Sequence, residues 1–183
     1  MVDYAAYWEK ASTFETVLES ATSHRQLWRD LYERARLPLH LALRARSLRH
    51  PWKLLVLSED WCGDAVNIVP QVARLAADVP TLELRILARD QNPALMDAHL
   101  TGTSRSIPVV MALDEHLREH GWWGPRPSEL QRWFLETGKQ LPREERYREI
   151  RRWYARDRGV STLDEVVGLL ERAEAAGEER ARA

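Results

Sequence analysis

The sequence predicts an α/β fold, with a mixed central sheet flanked by helices in residues 51–138. Short apolar runs alternate there with stretches of helical periodicity in the order β-α-β-α-β-β-α, and this alternation is typical of a parallel sheet covered by helices. The last two strands follow each other closely, which favours an antiparallel hairpin at one edge. With 183 residues, 44% of them hydrophobic, the chain is long enough to bury a core without metals or disulfides.

A helical extension is predicted in residues 1–50. After residue 23, leucines recur at helical spacing. Residues 12–15 and 23–26 fit the capping box, in which a serine or threonine side chain satisfies the first free N–H groups of a helix. Each segment is therefore a predicted helix start, with Ser12 and Ser23 as the caps.

Three apolar segments are the predicted core strands. Residues 54–57 form a continuous apolar run, which is typical of a strand buried on both faces. Residues 82–87 alternate between apolar and polar, and residues 109–113 form a third apolar run. Residues 116–123 are predicted to pair back on the third strand after a turn.

Helices are predicted between and after these strands. Residues 63–77 carry apolar side chains at helical spacing, and Pro70 inside this stretch is expected to kink the helix. Asn92 and Pro93 form a favourable helix start, with asparagine as the cap and proline in the first turn. Another helix is predicted over 128–138, where a glycine ends it.

A helical C-terminal extension is predicted in residues 139–183. The segment 142–158 mixes basic and aromatic residues, a combination also found on nucleic-acid surfaces. Acidic residues are interspersed, however, which favours a solvated helix with Trp153 and Tyr154 packed inward. The serine and threonine at 161–162 are predicted to cap the last helix.

Composition excludes several classes of function. The formal net charge of -1 argues against a nonspecific nucleic-acid binder, which depends on neutralising phosphates. No apolar run approaches the length of a membrane span, and the first residues lack the basic-then-apolar order of a secretory signal. We therefore expect a cytoplasmic protein with no membrane partner. No cofactor is predicted, and the six histidines suggest no metal site.

Cys62 is the only cysteine, which excludes an intrachain disulfide and the zinc sites that need two or more cysteine ligands. It lies where the first predicted strand ends and a helix begins. The free N–H groups and the dipole of a helix N-terminus favour a thiolate. A shift of the thiol pKa from about 8.5 to about 7 would leave the thiol roughly half ionised at neutral pH. Trp61 is expected to shield the thiol, and Gly63 to let a substrate approach.

Residues 61–65, with the sequence WCGDA, resemble the WCGPC active site of thioredoxins. The resemblance covers about residues 50–138 and implies a thioredoxin-like fold there. More narrowly, WCGDA and the WGPRP segment at 123–127 resemble a group of bacterial thioredoxin-like proteins. Four further thioredoxin landmarks follow in the same order and at the same spacing, namely Pro70, the DQNP segment at 90–93, the Ile107-Pro108 pair and Gly124.

The resemblance also implies a substrate groove beside Cys62. A cis bond before Pro108 is expected, and such a bond exposes neighbouring backbone groups on which an extended peptide can dock. Arg126 is expected either to pair with a carboxylate or to sit in solvent, and one tryptophan of the 122–123 pair is expected either to line the groove or to pack in the core. The expected groove residues are Trp61, Gly63, Ile107, Pro108, Trp123, Gly124 and Arg126.

The sequence departs from thioredoxins at three positions. Ala65 replaces the second cysteine, so the chain itself cannot resolve a mixed disulfide on Cys62, which excludes the ordinary dithiol reductase reaction. Val56 replaces a buried acid. Asp64 replaces the proline between the cysteines, and its negative charge would offset part of the helix effect on the thiol. Asp64 is interpreted either as a favourable first-turn acid or as a group that accepts a proton or bonds a substrate.

Two functions follow as hypotheses. The first is a monothiol thiol-disulfide oxidoreductase in which Cys62, assisted by Asp64, is the catalytic residue. Its partner would be a low-molecular-weight thiol or a protein thiol or disulfide, and an external thiol would resolve the product. The alternative is a redox-inactive binding module that uses the groove at Pro108. Peroxide reduction through a sulfenate is less favoured, because no TxxC motif surrounds the cysteine.

Overall fold

A four-stranded mixed sheet forms the centre of the computed structural model, which describes residues 2–182. The strands are β1 Trp52–Ser58, β2 Leu82–Ala88, β3 Val109–Leu113 and β4 Glu119–Trp123. They lie in the order β2-β1-β3-β4. β1 is parallel to β2 and antiparallel to β3, and β3 is antiparallel to β4. The predicted fold class, a thioredoxin-like mixed sheet between helices, is confirmed.

Helices cover both faces of this sheet and make up both ends of the chain. Two short 3-10 turns, at Arg89–Gln91 and Gly138–Gln140, join longer elements. The α-helices within the described residues are α1 Tyr4–Lys10, α2 Phe14–Ser20, α3 Arg25–Arg34, α4 Leu39–Arg46, α5 Gly63–Asp78, α6 Pro93–Asp97, α7 Ser128–Glu136, α8 Arg143–Asp157 and α9 Val160–Arg182.

Strand β1 is buried on both faces and divides the core into two parts. Successive side chains of a strand point to opposite faces, so Leu54 and Val56 join the core beneath α5 and α9. Leu55 and Leu57 face the other way, into the core covered by α1 and α6. All four side chains are 0% exposed. This arrangement explains why the first strand reads as a continuous apolar run.

The two predicted capping boxes near the N-terminus are wrong. Ser12 pairs with Ile86 as an isolated antiparallel bridge, and the two residues exchange N–H···O bonds of 2.9 and 2.8 Å. The cap of α2 is instead Thr13, whose Oγ1 accepts the amide of Thr16 at 3.3 Å. The cap of α3 is His24, in the left-handed conformation and without a side-chain cap bond. Contacts with the sheet and the turn therefore override the local signal.

Of two later predicted caps, one position is confirmed and the other is wrong. Asn92 is the N-cap residue of α6 and Pro93 is its first residue, as predicted. The side chain of Asn92 donates to the carbonyl of Ala88 at 2.7 Å and makes no cap bond to α6. The last helix begins before the predicted caps, at Val160, so Ser161 lies inside it. The carboxylate of Asp157 accepts both the amide and the hydroxyl of Ser161. An acid from the preceding helix thus performs the predicted role of the serine.

The hairpin strand β4 is shorter than predicted. A turn around Asp114 occupies the first positions of the predicted strand, because its carboxylate accepts the amides of His116 and Arg118, each at 2.9 Å.

In the C-terminal helices, the inward packing of Trp153 and Tyr154 is confirmed, since both are buried. No helix in residues 2–182 combines the length and the apolar character needed to cross a bilayer.

Candidate functional site

Cys62 sits at the carboxyl end of β1 and is the N-cap residue of α5. A tight turn precedes it, in which its amide donates to the carbonyl of Glu59 at 3.2 Å. Its own carbonyl accepts the amide of Val66 and so starts the helix. The side chain of Trp61 is 48% exposed, and a Cβ on Gly63 would meet nothing within 4 Å. The space at Gly63, next to the cysteine, is therefore open.

The thiol of Cys62 is half-buried beside the Ile107-Pro108 pair. The peptide bond between these two residues is cis, and both side chains are buried. The Sγ–H of Cys62 donates to the carbonyl oxygen of Ile107 across 3.6 Å. The structure therefore brings together three of the residues that the sequence assigned to one site.

The pKa of the Cys62 thiol is raised above its ordinary value, chiefly because burial disfavours the charged thiolate. The neighbouring Asp64 carboxylate also raises this pKa. The backbone amides of Ala65 and Asp64 act in the opposite direction, as does the charge of Arg126. The expectation of a lowered pKa is thus wrong. The helix N-terminus stabilises the thiolate as predicted, but burial outweighs it.

Asp64 is buried and both oxygens of its carboxylate are bound. Its Oδ2 forms an ion pair with Nη2 of Arg126 at 2.6 Å. Its Oδ1 accepts the hydroxyl of Tyr154, from α8, at 2.9 Å. Burial and the Asp64 charge raise the pKa of Tyr154 well above its ordinary value, so this hydroxyl stays protonated. Asp64 therefore links the first turn of α5 to the C-terminal extension.

Arg126 does not sit in solvent, because it pairs with the Asp64 carboxylate of its own chain. Its pairing with the carboxylate of a peptide or small molecule stays a prediction. Its guanidinium lies over the ring of Phe134, with 4.2 Å between Cζ and the ring centroid. Its Nη1 donates to Oε1 of Gln131 at 3.0 Å. The side chain is only 14% exposed. Arg126 is therefore a fixed part of the wall behind Cys62.

Trp123 packs in the core rather than standing free in a groove. Its ring is buried beneath α9, and its indole N–H donates to Oε2 of Glu165 at 2.6 Å. Gly124 has a φ of +138°, and a Cβ there would lie 2.2 Å from the carbonyl oxygen of Pro108. A glycine is thus required for this loop to approach the proline segment.

Sequence reasoning missed several residues that shape the site. Tyr154 and Glu165 come from the C-terminal helices, far along the chain from their partners, and no local pattern indicates such contacts. Arg89 stacks on the exposed ring of Trp61 at 5.1 Å. It also donates to the carboxylate of Asp90. A cation therefore lies beside the residue that precedes the thiol.

Comparison with known proteins agrees with the observed fold. The family model described as thioredoxin matches residues 11–154, so the match includes most of the N-terminal helical region. The crystal structure of a protein of unknown function, PA1234 from Pseudomonas aeruginosa, superposes with a TM-score of 0.78 at 19% identity. It covers 94% of this chain and 99% of its own. The crystal structure of an HIV epitope-scaffold gives a TM-score of 0.75 at 20% identity, with 93% and 98% covered.

No curated protein matches the chain. The two solved structures share the fold at low identity and carry no activity over to this chain. The family match, by contrast, spans more than half of the sequence, and the mixed four-stranded sheet is consistent with it. The chain belongs to the thioredoxin family.

Proposed function

We propose that the protein is a monothiol thiol-disulfide oxidoreductase in which Cys62 is the attacking thiol. The observation that carries this proposal is the position of Cys62. It caps α5 next to the cis Ile107-Pro108 pair, and the space beside Gly63 is open. We expect a disulfide to approach the sulfur from the side of Gly63.

The proposed reaction is two successive exchanges. In the first, the Cys62 thiolate attacks one sulfur of a disulfide R–S–S–R′, forms a mixed disulfide with R, and releases R′ as a thiolate. In the second, an external thiolate attacks the sulfur of R, forms a new disulfide with it, and releases the Cys62 thiolate. The external thiol is required because the second cysteine position is occupied by Ala65, which is fully buried.

The raised pKa of Cys62 slows both exchanges. Little thiolate is present at neutral pH, so the first attack is slow and accelerates as pH rises. A thiol of high pKa is also a poor leaving group, so the mixed disulfide on Cys62 is long-lived. These two properties favour slow capture and retention of a small thiol over rapid turnover.

The proposal is tested with oxidised glutathione and intact-mass spectrometry. We expect one glutathione per chain, a rate that rises about tenfold per pH unit while pH stays below the thiol pKa, and removal of the adduct by added thiol. The Cys62→Ser variant is the control and stays unmodified. If Cys62 reacts with iodoacetamide at about pH 8.5 but acquires no glutathione there, thiol-disulfide exchange is excluded.

A second candidate function is peptide or small-molecule binding without redox turnover. One observation favours it, namely that the thiol is held as a donor to the carbonyl of Ile107 while its pKa is raised. Partner capture by immobilised wild type and the Cys62→Ser variant separates the two functions. Equal capture favours binding alone, whereas loss of capture in the variant favours thiol chemistry.

A further inference from the structure

We propose that the Asp64–Arg126 ion pair modulates the reactivity of Cys62, because Asp64 cancels a positive charge that would otherwise activate the thiol. This inference rests on the proposed function, for which Cys62 must be the reacting group. It assigns both residues a positioning and electrostatic role, with no contact to the reacting sulfur required.

The first step is that the pair is close to Cys62 and shielded from water. Asp64 follows the cysteine by two residues on the first turn of α5. The ion pair measures 2.6 Å, and the two side chains are only 11% and 14% exposed. Charges that are partly buried interact more strongly than charges at the surface. Both members therefore influence the neighbouring thiolate.

The second step is that the two members act on Cys62 in opposite directions. The Asp64 carboxylate disfavours a thiolate and raises the thiol pKa, while the Arg126 guanidinium favours a thiolate and lowers it. Of the other groups nearby, Tyr154 stays neutral, since its pKa is also raised, and Arg89 is paired with Asp90. With the pair intact, the Arg126 charge offsets only part of the Asp64 effect, and burial is the largest influence on the thiol pKa.

The third step is that Arg126 has supports other than Asp64. Its guanidinium stacks on Phe134 and donates to Gln131, and neither contact involves the carboxylate. Its Nε is buried and has no hydrogen-bond partner within the described part of the chain. Removing only the charge of Asp64 therefore leaves a fixed, uncompensated cation beside Cys62.

A matched set of variants tests the inference. Asp64→Asn removes the negative charge and keeps the shape, Arg126→Gln removes the positive charge, and the double variant removes both. Tyr154→Phe is the structural control, because it deletes a hydrogen bond to Asp64 without changing any charge. Since the chain has one cysteine, every alkylation event reports on Cys62.

The measurement is the pH profile of iodoacetamide alkylation of the folded protein. In Asp64→Asn we expect a lower midpoint and about tenfold faster alkylation at pH 7. We expect slower alkylation in Arg126→Gln, a midpoint between those of wild type and Asp64→Asn in the double variant, and no shift in Tyr154→Phe. A purely structural role would lower thermal stability in these variants without moving the midpoint.

An unchanged midpoint in Asp64→Asn overturns the inference, and so does an equal shift in Tyr154→Phe. If Arg126→Gln fails to fold, the comparison of Asp64→Asn with Tyr154→Phe still decides. Exchange with glutathione is scored separately in the wild type. A protein that shows the alkylation shifts but no exchange retains the electrostatic coupling and loses the proposed function.

Discussion

Gly124 is constrained by its close approach to a single backbone atom, the carbonyl oxygen of Pro108. Its φ of +138° is a conformation that residues with a Cβ rarely adopt. In addition, a Cβ there would lie 2.2 Å from the carbonyl oxygen of Pro108, which is far inside van der Waals contact. Both facts follow from the close approach of the loop after β4 to the proline segment beside Cys62.

We expect Gly124→Ala to lower the free energy of unfolding by about 2–4 kcal/mol, since the backbone of one segment must move. Gly63→Ala is the matched control, because a Cβ there meets open space, and its effect should be below about 0.5 kcal/mol. Urea unfolding of the two variants checks this. Equal losses would contradict the assigned contact.

Glu165 is a second residue whose side chain stabilises the fold, because it accepts hydrogen bonds from two other parts of the chain. Its carboxylate accepts the indole N–H of Trp123 at 2.6 Å and the amide of Ser128 at 2.9 Å. It also accepts the hydroxyl of Ser128. These bonds fix α9 to the end of β4 and to the start of α7.

Glu165→Ala is expected to destabilise the fold by about 2–3 kcal/mol, because it leaves the half-buried indole N–H without an acceptor. Glu165→Gln keeps one carbonyl oxygen and should cost less. Guanidinium unfolding, followed by tryptophan fluorescence, measures both. A loss in the alanine variant no larger than in the glutamine variant would show that the carboxylate contributes little.

At the scale of elements, helix α1 is held on the sheet by a buried polar cluster. The hydroxyl of Tyr4 donates to the carboxylate of Glu119. Nδ1 of His99 donates to the carbonyl of Leu95 at 2.7 Å, and its Nε2 lies 3.2 Å from Oε1 of Glu119. A carbonyl and an ionised carboxylate only accept hydrogen bonds. Nδ1 is therefore a donor, and when His99 is protonated its Nε2 also donates, to Glu119.

This cluster predicts a pH dependence of stability. Hydrogen bonds to Glu119 and Leu95 raise the pKa of His99 above its ordinary 6.5, although burial opposes them as the largest single influence. The stabilisation is therefore complete below pH 6.5 and is lost as pH rises through the folded pKa. We expect the free energy of unfolding to fall as the pH rises above 6.5. The measurement is urea unfolding across this range.

The control for this prediction is His99→Gln, which cannot titrate and should flatten the dependence. Glu119 affects the free energy of unfolding at acidic pH. Its pKa is lowered by His99 and Tyr4 against the effect of burial, so its contribution is lost only as pH falls below its ordinary 4.5. A slope in His99→Gln equal to the wild-type slope would contradict the assignment.

Elements differed in how well the sequence predicted them, and the reason is physical. The strands follow from buried apolar runs such as 109–113, because a strand inside a core has few alternatives. Helix starts were less reliable. Ser12 and Ser161 are both good caps by type, yet one pairs with β2 and the other is bound by Asp157. The roles of these two residues depend on their partners in the folded protein, which the short stretch of sequence used to predict a cap does not include.

For the whole molecule, the predicted segments 1–50, 51–138 and 139–183 share one core. The core beneath α5 takes large side chains from all three. Those from outside the central segment include Phe14, Trp28, Leu41, Ile150, Trp153, Leu163, Val166, Val167 and Leu170. Buried apolar surface is the main favourable contribution to folding. Without residues 1–50 and 139–183, the central segment would lose much of the apolar surface that covers its sheet.

We therefore expect one cooperative unfolding transition for the full chain, with coincident curves from circular dichroism and tryptophan fluorescence. A fragment of residues 51–138 should give no cooperative transition, because the α5 face of its sheet is uncovered. Two separated transitions in the full chain, or a folded fragment, would instead support independent units.

Only part of the candidate site could be predicted from the sequence. Cys62, Ile107 and Pro108 were assigned from a motif and its spacing, and they do lie together. The contact from Tyr154 to Asp64 joins residues 90 positions apart, and nothing in either local sequence indicates it. The direction of the thiol pKa was wrong for the same reason, since burial of Cys62 depends on elements packed from elsewhere.

The single cysteine has a thermodynamic consequence. A protein that closes its own disulfide has a reduction potential that belongs to the chain and does not vary with its concentration. With one thiol in these 183 residues, every disulfide state of this chain includes a second molecule. The fraction of chains in that state therefore depends on how much partner is present, and the protein responds to the abundance and oxidation of that partner by mass action.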